Sequence, residues 1–136
     1  MKGIVLASHG KLAEGMLDTL QMFVGDPKQI VSLCLQPGQE IDEYMQKMIE
    51  ATKNVDDGDG VIIFCDLLFG TPCNSSAYFL KDNKGEKIKI ITGMNLPMIL
   101  EYTSAREQEV KIEQIIEIGK KGIVDFNELY TRRKNI

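Results

Sequence analysis

The 136-residue chain has no tryptophan and a single histidine, His9. Its three cysteines, Cys34, Cys65 and Cys73, are odd in number and show no CxxC spacing. That excludes a disulfide framework and a thiolate metal site, and it points to a reducing compartment. Cys34 and Cys65 fall in strand-like runs and read as small core hydrophobes. Basic residues are outnumbered, 16 against 20 acidic ones, for a net charge of -4. Nucleic acid is therefore not the expected partner, because phosphate binding needs a basic face. No apolar run approaches the ~20 residues that span a bilayer. Met1-Lys2-Gly3 leads straight into a strand-like run without a cleavage site, so no signal peptide is read and the expected location is the cytoplasm. A GxSxG elbow is missing, which argues against a serine hydrolase. Both glycine-rich nucleotide fingerprints are missing too. A histidine-type phosphatase or mutase needs a second histidine, and there is none.

What is present suits one domain over residues 1–136, with 43% hydrophobic residues to build its core. The run from Ile4 to Ala7 reads as a buried strand that stops at Ser8-His9-Gly10. A helix follows over Lys11–Val24, with Leu12, Met16, Leu20 and Phe23 as its apolar stripe. Ile30–Leu35 is a second strand. A second helix carries Ile41, Tyr44, Met45, Met48, Ile49 and Thr52 on one side. Residues 56–60, Asp-Asp-Gly-Asp-Gly, lack the longer ligand series of a calcium loop and read as a solvated turn. Val61–Cys65 is a third strand, ended by Asp66. Thr71 and Pro72 suit the first positions of a helix that runs to about Lys81, with a turn over residues 82–85. Ile88–Thr92 is a fourth strand. Asn95 caps a short helix that fades near Thr103, and another runs from about Arg106 to Lys120. Ile123–Phe126 reads as a short fifth strand, and Asn127–Ile136 as a polar tail. Continuous apolar strands alternating with helices give an α/β fold. The expected sheet is open and doubly wound, with four parallel strands in the order 2-1-3-4 and an antiparallel C-terminal edge strand.

In such sheets the ligand crevice lies outside the carboxyl ends of the strands. Three loops share that edge: Ser8-His9, Asp66 to Pro72, and Gly93 to Pro97. A lone histidine at a turn is often only a capping residue. The first and third strands are neighbours, however, so His9 and Asp66 face each other. A carboxylate beside an imidazole fixes its tautomer and leaves the other nitrogen as a nucleophile. Gly70 and Thr71 open a helix, whose free N–H groups suit a phosphoryl group. Nucleophile, orienting acid and anion cradle together describe phosphoryl transfer to histidine. A two-component receiver is the nearest alternative, but it needs an acidic pair after the first strand, where this chain has Ser8-His9. A non-catalytic flavodoxin-like binding module stays open. Leu68, Phe69, Met94 and Met98 lie in or beside these loops, either closing the sheet end as core or forming a docking rim around His9.

Three segments resemble the IIA component of the mannose/fructose/sorbose branch of the bacterial sugar phosphotransferase system. They are Ser8-His9-Gly10 with Glu14-Gly15, residues 66–72 (Asp-Leu-Leu-Phe-Gly-Thr-Pro), and residues 93–98 (Gly-Met-Asn-Leu-Pro-Met). The match runs to about Gly122. The resemblance implies that His9 takes a phosphoryl group from HPr on Nε2, with Asp66 bonded to Nδ1, and passes it to a IIB component. It implies no cofactor and no metal, and only indirect dealings with the membrane IIC and IID components. It also implies a homodimer that exchanges the C-terminal strand, here Ile123–Phe126. Thr71 stands where serine is frequent, which keeps the hydroxyl. The chain ends where many members continue into IIB, so a free-standing IIA is expected. A related class donates phosphate to a dihydroxyacetone kinase. It shares the His9 region but not the Gly-Thr-Pro or Asn-Leu-Pro segments.

Overall fold

Four runs of aliphatic residues form the strands β1 (Gly3–His9), β2 (Ile30–Leu35), β3 (Val61–Cys65) and β4 (Ile88–Ile91). All pair in parallel, in the order β2-β1-β3-β4. The computed structural model describes residues 1–134, with residues 82–86 and 134 described by backbone alone. The central strands are apolar throughout because both faces of the sheet are covered. On one face Ile4, Leu6, Ile62 and Phe64 pack with Leu20, Ile99 and Ile115. These come from α1 (Leu12–Val24), α4 (Leu96–Ala105) and α5 (Ile112–Lys121). On the other face Val5, Ala7, Ile63 and Cys65 pack with Tyr44 and Met48 of α2 (Ile41–Val55). The doubly wound sheet and its order are those expected. The crevice lies between the carboxyl ends of β1 and β3, where the connections diverge.

Several boundaries differ from expectation. The apolar stripe of α1 is rotated. Ala13 and Leu20 are buried with Met16, Leu17 and Val24 partly so, while Leu12 and Phe23 are exposed. Ser8 explains this, because its Oγ accepts the Ala13 N–H at 2.7 Å and draws that small residue inward. The helix expected to end near Lys81 is α-helical only over α3 (Thr71–Ser76). It continues as a 3-10 segment (Ala77–Glu86) through the expected turn. α5 starts at Ile112 rather than Arg106. Arg106 is instead buried and donates to the carbonyls of Lys2, Lys28 and Gln29, tying α4 to the amino edge of the sheet.

The C-terminal strand is the main correction. Residues 123–125 pair with no strand, and α6 (Phe126–Lys134) follows where a polar tail was expected. Asp125 caps that helix, its Oδ1 accepting the Glu128 N–H at 3.3 Å. Glu128 and Arg132 pair one turn apart at 2.6 Å. Asn135 and Ile136 of the expected tail lie outside the described residues.

Candidate functional site

The site begins with a stitched turn. Ser8 is fully buried; besides accepting from Ala13, its hydroxyl donates to the Gly10 carbonyl at 3.2 Å. Gly10 takes a φ of +56°, which glycine adopts without strain, and its N–H donates to the Leu35 carbonyl at 2.8 Å. The strand thus stops sharply, and the His9 side chain projects from the sheet end, 44% exposed.

Asp66 leaves β3 beside it, with its N–H donating to the Ala7 carbonyl at 3.1 Å. One carboxylate oxygen, Oδ2, accepts the His9 backbone N–H at 2.9 Å and lies 2.9 Å from Nδ1 of the same residue. An ionised carboxylate can only accept, so in the neutral ring Nδ1 carries the proton and Nε2 presents the lone pair. The other oxygen, Oδ1, is buried and has no partner among the described residues.

Gly70 lies against the far edge of the ring. A β-carbon there would sit 2.6 Å from His9 Cε1 and 3.2 Å from Nε2. Its N–H donates to the Leu67 carbonyl at 3.2 Å. Gly70 therefore supplies room rather than the amide expected of it. Thr71 follows as the first residue of α3, and the opening N–H groups of a helix have no intrahelical acceptor. Pro72 carries no N–H. Thr71 and Cys73 are the amides left in that turn.

The third loop does structural work. Met94 N–H donates to the Cys65 carbonyl at 3.0 Å. Asn95 Oδ1 accepts the Met98 N–H at 3.2 Å, and its Nδ2 donates to the Gly119 carbonyl at 2.9 Å. Met94 and Met98 are buried, 7% and 5% exposed, so they belong to the core and not to a docking rim. Helix α5 covers them at Gly119, whose missing β-carbon leaves room for the Met98 Cε. Leu68 and Phe69 are exposed beside His9, 58% and 77%. An apolar cleft of about 620 Å³ adjoins them, reaching Leu80, Ile90 and Ile123. Burial pushes the Cys65 thiol up to about 12, so it stays protonated at neutral pH and is no rival nucleophile.

The family model described as "PTS system fructose IIA component" matches residues 3–118. The chain belongs to that family. This IIA component is 27% identical over 124 residues to the mannose-specific EIIAB component of Escherichia coli K12, covering 88% of the chain and 38% of the relative. It thus spans well under half the length of that protein. It is 25% identical over 107 residues to the fructose-specific EIIA component of Bacillus subtilis 168, covering 79% of the chain and 72% of the relative. Among solved structures it resembles the PTS IIA protein associated with the fucose utilization operon of Streptococcus pneumoniae. The TM-score is 0.87 at 29% identity, covering 95% of this chain and 96% of that one. The domain is a IIA component of the mannose/fructose/sorbose type, a part of the sugar phosphotransferase machinery. Among its described residues no helix is long and apolar enough to cross a membrane.

Sequence reasoning expected His9 and Asp66 to face each other, and that is their arrangement in the structure. The same reasoning missed the steric part played by Gly70 and the hydroxyl stitching by Ser8. A glycine just ahead of a Thr-Pro helix start is a weak hint of the first. Nothing in the sequence shows the second.

Proposed function

We propose that His9 accepts a phosphoryl group on Nε2 from phospho-HPr and passes it to a IIB component. The observation that carries this is the 2.9 Å contact between Nδ1 and Asp66 Oδ2, which leaves Nε2 free at the open edge. The Nε2 lone pair attacks phosphorus while the P–N bond to the donor imidazole breaks. The donor ring departs neutral, and the positive charge it loses develops on the His9 ring, facing the Asp66 carboxylate. The Thr71 hydroxyl and the first amides of α3 face the incoming oxyanion. No divalent cation or cofactor takes part at this step. The chain acts in the cytoplasm, and the membrane IIC and IID components meet it only through IIB.

The test is a relay. Phosphoenolpyruvate, enzyme I and HPr should load one phosphoryl group per chain, and purified IIB should then remove it. A chelator added to the transfer from purified phospho-HPr should leave its rate unchanged. A chain that takes no label, or a transfer stopped by chelator, contradicts the proposal. Unloading to a dihydroxyacetone kinase but not to IIB would move the chain to the related class.

A dimer is the assembly we infer with it. Ile123, Val124 and Phe126 are exposed by 76%, 58% and 68%, a run of largely uncovered apolar side chains. Among the described residues β4 pairs only with β3, which leaves its other edge open. Open edges invite pairing, and a second copy of the chain offers a two-fold partner for it. Sedimentation at micromolar concentration should show a dimer, and truncation after Gly122 a poorly soluble monomer. A full-length monomer would leave the segment without this role.

A further inference from the structure

Among the described residues two other than glycine take a positive φ, Gln29 at 52° and Phe69 at 62°. In that region a β-carbon crowds the backbone, and bulky residues rarely settle there. Gln29 has a local reason. Its side chain donates to the carbonyls of Met1 and Val55, and its own carbonyl accepts from Arg106. The Phe69 side chain has no such partner among the described residues. Its ring is 77% exposed, and among the described residues it stacks on no other ring. The turn that strains it is nonetheless firmly held. Gly70 N–H closes it onto the Leu67 carbonyl at 3.2 Å, and Asn74 Nδ2 donates to the Phe69 carbonyl at 3.1 Å. Strain that the surroundings enforce, at an exposed aromatic beside a nucleophile, points to function.

We propose that Phe69 is the aromatic anchor on which the phosphoryl-donor protein is seated, and that Asn74 is the positioning residue that holds it outward. The inference rests on the phosphoryl-transfer reading above. Its occupant follows from contact. Gly70 leaves room for the His9 ring, where a β-carbon would sit 2.6 Å from Cε1 and 3.2 Å from Nε2, and Phe69 is its neighbour in the chain. A protein whose phosphoryl-bearing side chain reaches Nε2 therefore comes close to Phe69. Leu67 and Leu68, each more than half exposed, extend the apolar surface that meets it. Exposed aromatics at the centre of an interface commonly carry much of its binding energy. A small donor has no surface to seat and gains nothing from the anchor.

The experiment compares the full-length chain with Phe69→Asn and Phe69→Tyr. Asparagine tolerates the left-handed region better than phenylalanine. Phe69→Asn should hold the Tm or raise it by about 2 °C. Its KM for phospho-HPr should rise by about tenfold or more. Labelling of His9 by phosphoramidate, a small phosphoryl donor, should keep its rate. Phe69→Tyr, which keeps the ring, should retain the KM of the parent. An unchanged KM in Phe69→Asn overturns the anchor while leaving the donor reading intact. A fall in Tm, or slower phosphoramidate labelling, shows instead that the ring supports the fold or the site, and also overturns it. A parent chain labelled by phosphoramidate but not by phospho-HPr sinks the donor reading, and the anchor with it.

Discussion

Asp66→Asn should slow transfer from phospho-HPr by a factor on the order of 10²–10⁴, by analogy with an orienting carboxylate in a catalytic triad. Two donors of His9 converge on Oδ2 of this residue, the backbone N–H and Nδ1–H, each at 2.9 Å. An amide keeps one acceptor atom but loses the charge. Its NH₂ can also turn toward the ring and reverse the tautomer, which puts the proton on Nε2. The imidazolium formed on phosphorylation then lacks its counter-charge. The fold should survive, because the carboxylate is a costly group to bury and its Oδ1 has no partner among the described residues. Rapid-quench kinetics beside a urea melt separates the two effects. A variant that transfers within about threefold of the parent rate would remove Asp66 from the chemistry, since even a weak general-acid role is larger.

Gly70→Ala is the second large effect. Gly70 has a φ of -74° and ψ of 169°, a conformation open to any residue, so alanine brings no backbone strain. The conflict is with the ring alone. A methyl group 2.6 Å from Cε1 must push the imidazole aside. A displacement of about 1 Å at a reacting atom costs on the order of 10²-fold in rate. Stability should change by no more than about 1 kcal/mol, since His9 is partly exposed and can swing outward. NMR of the one imidazole should show a changed ring environment in the folded variant. Full transfer activity in Gly70→Ala would show that the ring need not lie where the structure has it.

Much of this was legible in the sequence, for physical reasons. Ile30–Leu35 and Val61–Cys65 have the expected bounds because buried parallel strands are continuous apolar runs between breakers. His9 and Asp66 were legible because strand ends in an open α/β sheet converge on one edge. Burial inside loops was not. Met94 and Met98 look like rim residues until α5, far along the chain, is known to cover them. Arg106 looks like the start of a helix, and three carbonyls from distant segments make it a buried clamp instead. Residues 123–126 carry the β-branched and aromatic residues of a strand, yet a strand needs a neighbour, and among the described residues this segment pairs with none. The positive φ of Phe69 is hidden as well, because phenylalanine gives no sign of a turn that glycine would announce.

The most direct test is NMR of the phosphorylated chain with nitrogen-labelled histidine. His9 is the only histidine, so one ring gives all the imidazole signals. Loading from phospho-HPr should shift Nε2 and couple it to phosphorus, leave the proton on Nδ1 donated to Asp66, and vanish in His9→Ala. Phosphorus on Nδ1, or label that persists on Asp66 in His9→Ala, would contradict the central claim.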